Sequence, residues 1–152
     1  MSEQEKKPTL EEEINEKLIG EIKDNALNFV SFLRENNITH ERNGYQQYLD
    51  EDVCNISIFG KKSWFVYWNT SDVNDSDNAN VSEDLKKFAR NARNKCKGGH
   101  CDKSPGTSRK IFGKEYQNLC NATLAFCSPS GHYLDNIKEL VKCRIRDIEL
   151  RK

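Results

Sequence analysis

Apolar residues recur at every third or fourth position through the first part of the chain, which is the periodicity of an amphipathic helix. The stripe consists of Leu10, Ile14, Leu18, Ile22, Ala26, Phe29 and Leu33. Thr9 and Glu12 have the spacing of a capping box at its start, and Asn36-Asn37 supplies a stop. The pattern therefore predicts one long helix over residues 10–35, with Gly20 as a weak point in its middle.

The apolar period then changes from about 3.6 residues to two, which indicates β-strands. Alternating apolar positions lie at residues 54–58 and again at 64–68, with Gly60 and two lysines between them. This pattern predicts a β-hairpin, and residues 44–49 predict a third antiparallel strand before it. Trp64 and Trp68 fall on one face of their strand, which favours a place in the core; their alternative role is an aromatic cage that binds a ligand.

The remaining elements are predicted from shorter signals. Ser82 has the position of a helix cap, and Pro129 opens a final helix. Residues 111–116 and 122–127 are each predicted to enter the sheet. The apolar stripe of the final helix is Leu134, Ile137, Val141, Ile145 and Ile148.

These elements predict an α+β fold, with a single antiparallel sheet of about four or five strands and with N-terminal, middle and C-terminal helices packed on one face. Residues 1–8 are expected to be disordered, and residues 9–152 to form a single domain. The predicted core is Phe29, Leu33, Ile56, Ile58, Trp64, Val66, Leu85, Phe88, Leu124, Phe126, Ile137 and Val141.

Composition indicates an intracellular, cytoplasmic protein with no membrane partner. The 152 residues are 36% hydrophobic and 32% charged, and no run approaches the ~18 apolar residues that a membrane span needs. The first residues are polar, unlike a secretory signal. In a reducing compartment the six cysteines are expected to be buried thiols or metal ligands rather than disulfides.

The net charge of zero hides two oppositely charged halves. Residues 1–82 carry 16 acids and 8 bases, whereas residues 83–152 carry 8 acids and 16 bases. Within residues 86–114 the candidate anion-binding side chains are Lys86, Arg90, Arg93, Arg109 and Lys110. Such a segment is typical of a surface that binds nucleic acid or another polyanion, although a solvated face that balances the acidic half would have the same composition.

A turn rich in cysteine, histidine and glycine follows the middle helix. Cys96 and Cys101 are separated by four residues, His100 lies beside them, and Cys120 is the nearest further thiol. Zinc prefers four such nitrogen and sulfur ligands, so these residues form a candidate zinc site and zinc is the one cofactor that the sequence suggests. The alternatives are ordinary thiols, or a nucleophilic Cys101 beside His100.

The last sixty residues resemble a group of small uncharacterised bacterial proteins. The shared features are the Cys-rich turn, the segment from Ile111 to Tyr116 that reads Ile-Phe-Gly-Lys-Glu-aromatic, and the closing helix that contains residues 140–144. More loosely, the order of elements resembles the YdhG-like α+β domains. The resemblance implies a compact domain of bacterial or phage type, and it carries over no catalytic residue.

Three functions from different classes remain open on this sequence. The first is a small binding or interaction module for a protein or small ligand, because no acid, base and nucleophile converge in the sequence. The second is a binder of nucleic acid or another polyanion through residues 86–114, and the third is a metal- or Cys-dependent enzyme.

The candidate zinc site gives the first testable prediction. If Cys96, Cys101 and Cys120 hold zinc with His100 or another thiol, Cys101→Ser should lower both the metal content and the thermal stability, because the metal would fix a glycine-rich connection. Elemental analysis of protein purified without chelator measures the metal directly. Metal-free protein with sulfur atoms more than about 7 Å apart would leave only ordinary thiols.

Overall fold

The computed structural model describes residues 9–40, 44–68, 81–95 and 106–150. Its helices are α1 (Leu10–Lys17), α2 (Gly20–Glu35), α3 (Glu83–Asn91) and α4 (Gly131–Leu150). Its strands are β1 (Thr39–His40), β2 (Tyr45–Tyr48), β3 (Glu51–Phe59), β4 (Ser63–Trp68), β5 (Arg93–Lys95), β6 (Thr107–Ile111) and β7 (Lys114–Cys127). No helix among the described residues is both long and apolar enough to cross a membrane.

The N-terminal apolar stripe forms two helices, so the prediction of one helix over residues 10–35 is wrong. The Thr9 hydroxyl accepts a hydrogen bond from the Glu12 amide at 3.1 Å and begins α1 as expected. Leu18 and Ile19 then take extended conformations, and Gly20 has a φ of +61°. Glycine adopts this φ without a steric penalty, which allows the chain to change direction and both helices to bury their apolar residues.

One antiparallel sheet contains all seven described strands in the order β1-β2-β3-β4-β7-β5, with β6 also paired to β7. Leu124 of β7 lies between Trp68 and Arg93, and Leu119 lies between Thr107 and Lys95. Strands β4 and β6 therefore pair one after the other along the same edge of β7, while β5 pairs along the opposite edge.

The predicted number of four or five strands is too small, although the α+β class holds. Strand β5 has the sequence Arg-Asn-Lys and β6 has the sequence Thr-Ser-Arg-Lys-Ile. Neither sequence shows the apolar alternation by which strands are predicted. Both segments are strands because their backbones pair with β7.

Residues 111–116 enter the sheet, but as two strands rather than one: Ile111 ends β6, and residues 114–116 begin β7. Phe112 and Gly113 have φ values of 50° and 81°, the left-handed pair expected of a tight hairpin turn between β6 and β7. The Arg90 guanidinium donates hydrogen bonds to the carbonyl oxygens of Ile111 at 3.2 Å and Phe112 at 2.9 Å. These bonds attach the hairpin to α3.

The β3–β4 hairpin and the helix capped by Ser82 are confirmed. Strands β3 and β4 pair from Asn55 opposite Tyr67 to Phe59 opposite Ser63. The Ser82 hydroxyl accepts a hydrogen bond from the Leu85 amide at 3.1 Å. Apolar alternation predicted the hairpin and the serine cap predicted the helix, and both are local patterns.

The core lies between the sheet and helices α2, α3 and α4. Ile56, Val66 and Phe126 are paired across β3, β4 and β7, so their side chains point to the same face. From α3, the Phe88 ring packs 5.6 Å from Phe126, and from α2, Phe29 packs 6.0 Å from Trp64. Of the predicted core residues, Ile58, Leu85 and Phe88 are partly buried and the others are buried.

A charged pair also lies inside the molecule, where the sequence pattern predicted only apolar residues. Arg144 of α4 is 8% exposed and Asp147 is 7% exposed. The Arg144 guanidinium donates to the Asp52 carbonyl oxygen at 2.9 and 3.0 Å and contacts Asp147 at 3.3 Å. A buried charge needs such partners, and here they tie α4 to the beginning of β3.

Gly44 is expected to be essential for stability. A Cβ atom there would lie 2.1 Å from the Ile56 carbonyl oxygen, and its φ is +84°. Gly44→Ala should therefore lower the free energy of unfolding by about 3 kcal/mol or more, through steric overlap, backbone strain and loss of the hydrogen bond from the Ile56 amide to Gly44.

Gly60→Ala is the matched control, because Gly60 has a similar φ of +66° but open space around it. It should cost only about 1 kcal/mol, the strain alone. Urea unfolding followed by circular dichroism measures both variants. Equal losses would show that close backbone approach at Gly44 is unimportant.

Candidate functional site

The face of the sheet opposite the helices carries a group of aromatic rings. Because side chains alternate along a strand, Phe65 and Tyr67 of β4 point away from the face that holds Trp64, Val66 and Trp68. Phe59 at the end of β3 lies on the same side as Phe65. Phe59, Phe65 and Tyr67 are called the aromatic surface below.

The three rings contact one another and remain accessible. Phe65 and Tyr67 are stacked with ring centroids 5.5 Å apart and planes 4° apart. Phe59 packs edge-on to Phe65 at 5.2 Å. Phe59 is 53% exposed, and Phe65 and Tyr67 are partly exposed. Contiguous exposed apolar groups of this kind often mark a binding site.

Polar and small side chains lie beside the rings. Ser57 and Cys127 are the cross-strand neighbours of Phe65, and Asn55 and Ala125 are those of Tyr67. The pKa of the Tyr67 phenol is raised, first by partial burial and then by the nearby thiols of Cys127 and Cys120. Tyr67 is therefore uncharged at neutral pH and offers a ring face and a hydroxyl.

The two tryptophans proposed as ligand-binding residues lie in the core. Trp64 is 0% exposed and Trp68 is 1% exposed. Trp64 packs against Phe29, and Trp68 packs against Phe126 at 6.3 Å. The core interpretation is confirmed, and neither indole is open to a ligand from solvent. The Trp64 Nε1 atom is buried and has no hydrogen-bond partner among the described residues.

All three proposed anion-binding arginines form contacts within the fold, and two of them lie at the same hairpin. Arg90 holds the carbonyl oxygens of Ile111 and Phe112, as described above. Arg93 donates to the Arg90 carbonyl oxygen at 3.0 Å, and its guanidinium lies 4.7 Å from the centre of the Tyr116 ring. Both guanidinium groups thus stabilise the end of the β6–β7 hairpin.

The other proposed anion-binding residues are dispersed. Lys86 forms an ion pair with Glu83 at 3.3 Å on α3. Arg109 of β6 donates to the Thr123 hydroxyl at 3.0 Å, and Lys110 is exposed on the same strand. The structure therefore shows Arg90 and Arg93 together but does not bring all five side chains to one site, and anion binding by this set stays a prediction.

Of the four candidate zinc ligands, Cys120 is the one that lies among the described residues. Cys96, His100 and Cys101 lie outside the described residues, while Cys120 is partly buried on β7. Among the described residues, no three His, Cys, Asp or Glu side chains are grouped as metal ligands would be. Zinc binding and the Cys-dependent reaction stay predictions.

The aromatic surface was not among the sites predicted from the sequence, although the sequence of β4 contains a signal for it. Its sequence is Ser-Trp-Phe-Val-Tyr-Trp, so one face carries Trp64, Val66 and Trp68 and the other face carries two further aromatic rings, Phe65 and Tyr67. A strand with one solvent face normally alternates apolar and polar residues. Rings on both faces of β4 therefore indicate either burial on both sides or a surface with a binding role.

The face of the sheet opposite the helices, called the open face below, is accessible, and this predicts which thiols an alkylating reagent modifies first. Cys127 is exposed there, whereas Cys54 is buried and burial raises its thiol pKa well above the usual range. Iodoacetamide at mildly alkaline pH should alkylate Cys127 at least about tenfold faster than Cys54, because the thiolate is the nucleophile. Peptide mass mapping over time measures both rates, and Cys127→Ser identifies the peptide signal. Alkylation of Cys127 as slow as that of Cys54 would show that the open face is covered.

No protein-family model matches this chain, and comparison with curated proteins and with solved structures finds no match either. The resemblance to YdhG-like domains and to small Cys-rich bacterial proteins accordingly stays a prediction.

Proposed function

We propose that the protein is a non-enzymatic binding module that holds flat aromatic groups against the aromatic surface. The observation that carries this proposal is the parallel pair of Phe65 and Tyr67 rings beside the 53% exposed Phe59 ring. The ring contacts of α2, α3 and α4 with the sheet are on the opposite face. A flat ligand could therefore reach the rings without displacing a described helix.

Aromatic rings favour aromatic ligands for electrostatic as well as hydrophobic reasons. A ring carries negative potential on its faces and positive potential at its edge, so offset stacking adds about 0.5–1.5 kcal/mol beyond burial of apolar area. The side chains of Phe65 and Tyr67 lose little freedom on binding, because strand pairing and their mutual contact already orient them.

Polar groups at the surface would orient such a ligand. The Ser57 hydroxyl lies in the same cross-strand row as Phe65. A phenol is protonated at neutral pH and the pKa of Tyr67 is raised further by partial burial, so the hydroxyl serves as a hydrogen-bond donor rather than a base. These groups suit recognition of a ring edge.

Protein-observed NMR with indole, adenosine and phenol as probes tests the proposed function. We expect all three to shift backbone signals of residues 57, 59, 65, 67 and 127, and a saturated alcohol of similar size to shift them less. Phe65→Ala should weaken adenosine binding roughly 2- to 10-fold, which corresponds to the loss of one stacking contact.

Tyr133→Ala is the matched control, since Tyr133 is 43% exposed but packs against Phe88 on the helix side. It should leave the adenosine affinity unchanged. If the probes shift signals only elsewhere, or shift none, the aromatic surface is not a binding site for flat rings.

A further inference from the structure

Positive charge borders the aromatic surface at the β3–β4 turn. Lys61 and Lys62 follow Phe59 and Gly60 directly, and both lysines are exposed. Neither forms an ion pair with another described residue. Two exposed cations without an ion-pair partner in the described part of the chain therefore lie at the end of the surface that carries the most exposed ring, Phe59.

The strands on the other side of the aromatic surface are also basic. Residues 86–95 and 106–114 contain eight lysines and arginines and no acid. Strands β5 and β6 within these segments pair with β7, and the C-terminal end of β7 pairs with β4. The strand that carries Phe65 and Tyr67 and the basic strands are thus parts of one sheet.

Several of these basic groups remain available although Arg90 and Arg93 form contacts within the fold. Lys95 at the end of β5 is exposed and forms no ion pair with a described residue. Lys114 at the start of β7 is exposed, with its ammonium 5.5 Å from the centre of the Tyr116 ring. Lys95 pairs with the buried Leu119, so it lies on the helix side of the sheet, and Lys61 and Lys62 are the described lysines that border the rings directly.

From this arrangement we infer that the flat groups bound by the aromatic surface are the bases of a single-stranded nucleic acid, an inference that rests on the proposed function. A single strand combines unpaired, stackable bases with a regular row of negative phosphates, and proteins bind it with aromatic rings beside a basic track. Phe59, Phe65 and Tyr67 would stack on bases, while Lys61 and Lys62 would contact phosphates.

The rings distinguish this ligand from other polyanions. In a duplex the bases are already stacked on one another, so exposed rings on a flat sheet gain no access to base faces. Heparin and acidic peptides offer negative charge without stackable bases. A binder that uses charge alone would therefore not depend on Phe59 or Phe65.

Fluorescence anisotropy with labelled single-stranded DNA and RNA oligonucleotides of roughly 15 nucleotides, at about 50 and 200 mM salt, tests the inference. We expect both single strands to bind more tightly than a duplex of the same length. Phe59→Ala and Phe65→Ala should each weaken binding between about fivefold and a hundredfold, the effect of losing one base stack. A difference between the DNA and RNA arms identifies which of the two is preferred.

The lysines are tested by the salt dependence of binding. Lys61→Ala combined with Lys62→Ala should reduce the slope of log affinity against log salt by about 1.4, since each phosphate contact of a single strand contributes about 0.7. Lys17→Ala combined with Lys142→Ala is the matched control, because it removes the same charge from exposed positions on helices α1 and α4. Its slope should equal that of the unmodified protein.

The measurements separate loss of binding from unfolding of a variant, and failure of this inference from failure of the proposed function. Thermal unfolding of Phe59→Ala checks stability, and its exposed position makes it the safer of the two ring variants. Equal binding of single strands and duplex, unaffected by either ring variant, overturns the inference in favour of a charge-only binder. No binding of oligonucleotides, while adenosine and indole still shift the surface signals, overturns it but leaves the proposed function standing. Loss of both responses overturns both.

Discussion

The register of β4 with β3 and β7 is the constraint on which both the core and the aromatic surface depend. A slip of one residue would turn Trp64 and Trp68 outward and Phe65 and Tyr67 toward the helices. Because both faces of β4 are aromatic, apolar alternation alone specifies this register weakly. The Trp64 backbone is fixed by Ser128, whose amide donates to the Trp64 carbonyl oxygen at 2.7 Å and whose hydroxyl accepts from the Trp64 amide at 3.2 Å.

Arginine side chains fasten the helices to the sheet at both ends. Arg34 of α2 donates to the Ile38 carbonyl oxygen and to the buried Gln46 side chain, both at 2.9 Å. Arg144 of α4 and Arg90 of α3 likewise donate to backbone carbonyl oxygens. The planar guanidinium with five donors suits this role better than an ammonium does. A count of basic residues therefore overstates the positive charge that is free to bind an anion, and the exposed lysines contribute more to the surface than the arginines do.

Aromatic residues on both faces of the sheet have different effects: they stabilise the core on the helix face and remain accessible on the open face. On the helix face, burial of Trp64 and Phe126 removes each ring from water, a gain of about 4–6 kcal/mol for an area of roughly 150–250 Å². On the open face the same kind of side chain remains partly exposed, so that gain is still available to a ligand. The exposed Lys61 and Lys62 beside the rings disfavour self-association of this face through charge repulsion.

Local patterns determined the β3–β4 hairpin, the helix that begins after Ser82 and the buried stripe of α4, because periodicity and capping act over a few residues. Tertiary structure decided the break at Leu18 and Ile19, where packing of both helices overrides a continuous helical stripe. It also brought the polar strands β5 and β6 into the sheet, since backbone hydrogen bonds to β7 do not require apolar side chains. Which rings of β4 are covered was likewise a tertiary outcome: Trp64 and Phe65 are both large aromatic residues, and only the helices packed on one face make one of them core and leave the other open to a ligand.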